Sequence, residues 1–198
     1  MTTFQFFFIL LSYLIGAVPF GILFSRLFSK VDVRTVGSGN IGATNVLRAA
    51  GKKAAVLTLL ADCLKGVLPV LAAAFIFQAD WVTVLCGAAA VLGHNFPVYL
   101  GFKGGKGVAT SYGVVLAIAP WTGLICLIVW LMAAFLWRYS SLAALMSFAC
   151  YPALTFAADP LSKPYGLLSL FLFGMIYYRH RENIRRLIAG TEPRIGQK

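Results

Sequence analysis

The chain has 198 residues, of which 60% are hydrophobic and only 12% charged, and its mean hydropathy is +0.85. Soluble domains run at ~45–50% apolar and ~25% charged, so this composition excludes an ordinary water-soluble globule and points to lipid as the solvent. The formal net charge is +11, from 17 Lys and Arg against 6 Asp and Glu. In a soluble protein that balance suggests nucleic acid. Here the basic residues gather instead in three places: Arg26 to Lys53, the pair Lys103 and Lys106, and the tail from Arg179 to Lys198. Basic loops between apolar runs favour the cytoplasmic side of a membrane, anionic headgroups and anionic substrates.

A bilayer core of ~30 Å takes roughly 20 mostly apolar residues per helix. The first such run is Phe4 to Phe24, with Pro19 inside it as a kink site. No basic residue precedes it and no small-residue cleavage site follows, so it reads as a span and not as a signal peptide. A polar loop is predicted over Ser25 to Lys53. The second span is Ala54 to Phe77, and it carries Asp62 and Lys65 three apart on one helix face. Charges at membrane depth are expensive and face a polar interior; a structural pair and a catalytic pair fit these two equally well. Trp81 to Leu100 is the third span, interrupted late by Gly93-His94-Asn95-Phe96-Pro97. A Gly/Lys turn, Gly101 to Gly107, leads to a long run, Val108 to Trp137, long enough to tilt or to break at Pro120. Two short runs follow, Leu142 to Ala157 and Tyr165 to Tyr178, and a basic tail ends the chain. With both the first loop and the tail placed inside by charge, the number of crossings must be odd. Six apolar runs are countable, so five or seven crossings satisfy the rule. The expected fold is an all-α integral membrane protein, a polytopic helix bundle of five to seven spans forming one domain over residues 1–198. Cys63, Cys86, Cys126 and Cys150 stand singly in apolar stretches, without C-x-x-C or Cys/His spacing, and are expected to be packing residues.

Three polar islands carry the chemistry. The first is Gly37-Ser38-Gly39-Asn40-Ile41-Gly42-Ala43-Thr44-Asn45, with Arg48 after it. Closely spaced glycines let backbone N–H groups converge, and with a following helix N-terminus they form an anion site. Ser38, Thr44 and Asn45 add neutral groups, and Arg48 adds a planar fork suited to phosphate oxygens. The literal G-x-G-x-x-G here lies between spans and not in a strand–helix unit, so it is no dinucleotide fingerprint. The second island runs from His94 and Asn95 to Lys103-Gly104-Gly105-Lys106-Gly107 and Thr110. It is not a Walker A loop, because Leu100 and Gly107 occupy the places of Gly and Ser or Thr. In the third, His180 and Asn183 share a face at i, i+3, and Glu182 and Arg186 are spaced to pair at i, i+4; Arg185 and Arg186 read as a solvated basic face. Ser140-Ser141 after Arg138 is a smaller feature. The islands hold phosphate-binding groups in excess. They lack a carboxylate pair, a Ser-His-Asp order, metal-ligand spacing and the His-x₄-Asp of the commoner glycerolipid acyltransferases, since Tyr99 stands five after His94. A site with no obvious nucleophile suits a substrate that is already activated. A small organic-anion transporter is the competing reading, because it too would have Gly-broken helices and basic loops.

The runs Gly37-Ser38-Gly39-Asn40-x-Gly42-Ala43-Thr44-Asn45-x-x-Arg48, Gly93-His94-x-Phe96-Pro97 with Phe102 to Thr110, and Arg179-His180-x-x-Asn183-Ile184 resemble the three motifs of the bacterial acyl-phosphate:glycerol-3-phosphate acyltransferases. The likeness extends over nearly the whole chain. It implies a seven-helix bundle in the bacterial inner membrane with its active site towards the cytoplasm. It also implies transfer of a fatty acyl group from acyl phosphate to the 1-hydroxyl of glycerol 3-phosphate, without cofactor or metal, by a monomer. Under that resemblance the substrate-binding residues are Ser38, Asn40, Thr44, Asn45, Arg48, Lys103, Ser141 and Asn183. His94, His180 and Lys106 are the catalytic candidates. The base is His94, His180 or a substrate phosphate oxygen, since imidazole as a class titrates near neutrality.

Overall fold

The structure is a computed structural model that describes residues 1–159 and 161–196; Lys198 of the basic tail lies outside the described residues. The described residues form nine α-helices. In chain order these are α1 (Thr3–Gly16), α2 (Phe20–Ser29), α3 (Ala43–Phe77), α4 (Asp80–Asn95), α5 (Val108–Ile118), α6 (Pro120–Trp137), α7 (Ser140–Ala158), α8 (Lys163–Arg179) and α9 (Arg181–Ile188). Among the described residues five segments are long and apolar enough to cross a membrane: Thr3–Ser29, Ala43–Phe77, Asp80–Leu100, Pro120–Trp137 and Ser140–Ala158, with Val108–Ile118 as a shorter apolar helix. The chain is therefore the all-α membrane protein that its composition predicts. Phe75, Trp121 and Phe135 are each at least 79% exposed, which suits lipid tails and not water.

Local chemistry sets the breaks. Thr2 caps α1 in a reciprocal box with Gln5. Pro19 removes a backbone donor, and α1 gives way to α2 there. The predicted loop Ser25 to Lys53 is shorter than expected. Helix α2 continues to Ser29 and stops at Lys30 in the left-handed conformation. Helix α3 begins already at Ala43 and bends at Gly51, whose φ of 81° is outside helical space. Polar, basic residues at both loop ends are compatible with helix at the membrane surface, so hydropathy alone misplaces these boundaries. Of the two outcomes open to the long run Val108 to Trp137, a tilt or a break, the structure shows the break, at Ala119-Pro120 between α5 and α6.

The helices pack into two compact units, Met1–Val114 and Val115–Lys198, with the boundary inside α5. In the first unit α4 packs on α1 and α3, and α2 packs on α3. Glycine sets the α1–α4 approach: a Cβ on Gly93 would lie 2.8 Å from Ala17 N and against the Tyr13 carbonyl. Without a hydrophobic drive between helices in lipid, such close backbone contact is what holds them together. Gly93→Val is expected to lower stability by about 3 kcal/mol, or ~6–12 °C in unfolding temperature; a thermal melt in detergent checks this. In the second unit α7 packs between α6 and α8, and α9 returns onto α7 and α8.

Candidate active site

The first island is organised by one side chain. Asn45 is buried in the first turn of α3. Its amide nitrogen lies 2.9 Å from each of the carbonyl oxygens of Val33, Val36 and Asn40, and its Oδ1 accepts the Ser38 N–H at 3.1 Å. The amide is thus spent on folding the loop back over the helix start. Gly37 and Gly39 adopt φ of 60° and 67°, where a side chain is strained. Asn40 Oδ1 accepts the Gly42 N–H at 2.9 Å, closing the turn into α3. Among the described residues no side chain caps the α3 N-terminus, so its positive dipole end faces the loop.

Around that helix start stand Ser38 and Thr44, both exposed, and Asn40 and Arg48, both half-buried. Thr44 and Arg48 share a face at i, i+4, and the Arg48 stem passes Gly37. Among the described residues the Arg48 guanidinium makes no ion pair and no hydrogen bond. The neighbouring arginines differ: Arg26 and Arg34 both bind Asp32, at 2.8 and 2.6 Å. The hydrogen bonds from Arg34, the larger influence, and from Arg26 hold the Asp32 carboxyl well below the usual carboxylate range. Among the described residues Arg48 is thus a guanidinium of this loop left for a ligand. Replacing Asn45 by Asp puts a carboxylate oxygen against three carbonyls. It is expected to cost about 2–4 kcal/mol and to open the 33–42 loop to limited proteolysis, read as new cleavage there on a gel.

The second island follows α4. Pro97 O accepts the N–H groups of Leu100 at 3.0 Å and Phe102 at 2.9 Å, and Gly101 and Phe102 both take positive φ. The Gly105 N–H then donates to His94 O at 3.0 Å. Lys103 is exposed at the tip and Lys106 half-buried before α5. His94 itself is buried, with Nδ1 3.7 Å from Asp62 Oδ1. The same Asp62 oxygen binds Lys65 Nζ at 2.7 Å, and Lys65 also donates to Val18 O at 3.1 Å. Asp62 and Lys65 therefore form a buried ion pair; removing one partner would leave the other charge uncompensated, at about 3–5 kcal/mol.

In the second unit Ser141, Asn183 and Arg186 converge on one carboxylate. Ser141 Oγ donates to Glu192 Oε1 at 2.7 Å, Asn183 Nδ2 donates to the same oxygen at 2.6 Å, and Arg186 Nε donates to Oε2 at 2.7 Å. The expected Glu182–Arg186 pair is thus corrected: Arg186 is bound to Glu192, not left on a solvated face. Burial, the largest single influence, pushes the Glu192 carboxyl up, but the bonds from Ser141, Asn183 and Arg186 together outweigh it and hold it below its ordinary value. Sequence reading misses Glu192 because nothing in its neighbourhood announces a partner 51 residues away. The tail beyond it is strapped to the α6–α7 corner: the Ile195 N–H donates to Arg138 O at 2.6 Å, and Arg138 Nη2 donates to Ile195 O at 3.1 Å. His180 is buried at the α8–α9 junction, with Nδ1 2.8 Å from Ile176 O. A carbonyl only accepts, so Nδ1 carries the proton, and in the neutral ring Nε2 is the basic nitrogen.

The glycerol-3-phosphate acyltransferase family model matches residues 6–190. A glycerol-3-phosphate acyltransferase of Paramagnetospirillum magneticum is 52% identical over 186 residues, covering 94% of this chain and 91% of that protein. One of Agrobacterium fabrum is 49% identical over 189 residues, covering 96% and 91%. The crystal structure of PlsY (YgiH), an integral membrane glycerol 3-phosphate acyltransferase, superposes in its glycerol 3-phosphate form with a TM-score of 0.91 at 46% identity over 97% of this chain and 96% of that one. Its lysophosphatidic acid form gives 0.89 at 44% identity, over 97% and 95%. A fold of lipid-facing helices, a loop that offers a helix N-terminus and an arginine unpaired among the described residues, and full-length likeness at this level agree, and the chain belongs to the glycerol-3-phosphate acyltransferase family of integral membrane enzymes.

Proposed function

We propose that this enzyme takes its acyl group from acyl phosphate and delivers it to the 1-hydroxyl of glycerol 3-phosphate, releasing phosphate and 1-acyl-glycerol 3-phosphate. The observation that carries the reading is the 37–48 loop, where a helix N-terminus without a side-chain cap, Ser38, Asn40, Thr44 and an Arg48 without an ion pair or hydrogen bond among the described residues meet. Those groups suit a phosphate. A relative of the same fold is described in glycerol 3-phosphate and lysophosphatidic acid forms, which supports that acceptor and that product.

The chemistry is direct displacement. The hydroxyl oxygen of glycerol 3-phosphate forms an ester bond to the acyl carbon, the bond from that carbon to the phosphate oxygen breaks, and the hydroxyl proton leaves to a base. The mixed anhydride is already activated, so no acyl-enzyme is required. Ser38, Asn40 and Thr44 hold the acyl phosphate, and donors placed around its phosphate stabilise the leaving charge as it develops. Arg48, Lys106, His180 and Asn183 are assigned to glycerol 3-phosphate and Lys103 to substrate binding; holding the hydroxyl near the acyl carbon supplies proximity. Ser141 and Asn45 are assigned as further substrate-binding residues, Asn45 also shaping its own loop. The proton goes to His94, to His180 Nε2 or to a substrate phosphate oxygen.

Seven crossings, with α5 and α8 added to the five long spans, put the N-terminus outside the cell. They also put residues 30–42, the 96–107 turn, the Arg138–Ser141 corner and the tail on the cytoplasmic face. This agrees with the distribution of basic residues. The reading makes the chain a single catalytic domain of the inner membrane, active as a monomer without cofactor. Purified protein in detergent, given labelled glycerol 3-phosphate and palmitoyl phosphate without CoA, metal or carrier protein, is expected to form lysophosphatidic acid. Product with palmitoyl-CoA but none with palmitoyl phosphate would overturn the donor assignment.

A further inference from the structure

We infer that the buried Asp62–Lys65 pair and His94 form a positioning device for the Gly104–Gly107 turn, and that affinity for glycerol 3-phosphate depends on it. The inference rests on the reading of Lys106 as a substrate-binding residue. Ionisable groups inside a span are costly to keep, yet the Asp62 and Lys65 side chains are only 3% and 2% exposed. Their contacts say what they hold. Lys65 donates to Val18 O at the α1–α2 break and stands 5.8 Å from the Phe20 ring. Asp62 faces His94 on the last turn of α4, with 3.7 Å between Oδ1 and Nδ1. One charge pair on α3 therefore gathers the α1–α2 break and the end of α4.

His94 carries that arrangement outward to the turn. Its carbonyl accepts the Gly105 N–H at 3.0 Å. A Cβ on Gly105 would fall on the His94 imidazole, and one on Gly104 would fall on the His94 carbonyl and the Pro97 ring. Gly107 rests on the Asn95 amide, where a Cβ would lie 2.7 Å from Oδ1. The backbone that presents Lys106 is thus seated on His94 and Asn95 with no room for a side chain between them. A shift of the imidazole displaces the turn, and the Asp62 carboxylate faces the imidazole from α3 at 3.7 Å. An ion pair that merely joined helices would have no such backbone route to a basic loop.

The test is Asp62→Asn/Lys65→Gln, which removes both charges together, assayed as purified full-length enzyme in detergent beside Lys106→Ala. The double variant is expected to raise KM for glycerol 3-phosphate at least ~10-fold while KM for acyl phosphate stays within ~3-fold. A lowered unfolding temperature with both KM values unchanged would mean a structural pair only and overturn the inference. A raised KM in Lys106→Ala with wild-type KM in the double variant would overturn the positioning inference and leave the site reading standing. A wild-type KM in Lys106→Ala would overturn the site reading, and the inference with it. Should the double variant not accumulate as folded protein, Asp62→Leu/Lys65→Met, which exchanges the buried pair for apolar groups of similar volume, decides: a raised KM for glycerol 3-phosphate with kcat retained supports positioning, whereas unchanged KM or a collapse of kcat alone overturns it.

Discussion

Arg48→Ala is expected to lower kcat/KM for acyl transfer by about 10²–10³-fold while leaving the unfolding temperature within ~2 °C of the parent. The two halves of that expectation have separate causes. A guanidinium that meets phosphate through two charge-assisted hydrogen bonds contributes about 3–4 kcal/mol to the bound state, and each 1.4 kcal/mol is a factor of ten. Stability is spared because Arg48, half-buried on the first turns of α3, has no ion pair or hydrogen bond to lose among the described residues. Arg48→Lys separates charge from geometry. It keeps the cation and loses the planar fork, so it is expected to recover only part of the activity, about a tenth to a hundredth of the parent. Steady-state kinetics with glycerol 3-phosphate varied, beside a melt in the same detergent, reads both. Full activity in Arg48→Ala would remove the residue from the site.

Sequence and structure agree best where hydropathy and proline speak together. The apolar runs give the spans, and Pro19 and Pro120 stand where the helix breaks. The ends of the first loop are less legible. Residues 25–29 and 43–50 are helical, but their polarity hides the period, because a helix at an interface need not be apolar. Asn45 shows a second kind of limit. An Asn among glycines reads equally as a ligand contact or as a turn organiser, and only its four backbone contacts tell where the amide is spent. Asp62 and Lys65 are visible as a pair from their spacing. That they reach Val18 and His94 depends on how α3 packs against α1 and α4, which no local pattern encodes. Glu192 is the extreme case: its partners Ser141, Asn183 and Arg186 lie on α7 and α9.

Glu192 also leads to the second large effect. Glu192→Ala would take away the acceptor for three donors in one step, leaving the Ser141 hydroxyl, the Asn183 amide and the Arg186 guanidinium without it. Ser141 and Asn183 are buried, so neither regains water freely. A buried donor left unsatisfied costs about 1–3 kcal/mol, and breaking a partly buried charge pair adds to that, for a loss near 3–5 kcal/mol. In a chain of this size the melt should fall by roughly 10–15 °C. Glu192→Gln keeps the shape but loses the charge and turns one oxygen into a donor facing Arg186 or Ser141, so it should recover less than half of the loss. The wild-type protein carries its own control. The folded Glu192 carboxyl is held below its unfolded value, so its contribution is fully present above the unfolded pKa and is lost as pH falls through the folded one. The parent melt should therefore drop on acidification below the ordinary carboxylate range, and the gap between parent and Glu192→Ala should narrow over the same interval. A gap that stays constant down to the lowest pH at which the parent remains folded would show that Glu192 holds the tail by packing alone. A gap that closes would assign the holding force to the ionised carboxylate, with the position of Ser141 and Asn183 depending on it.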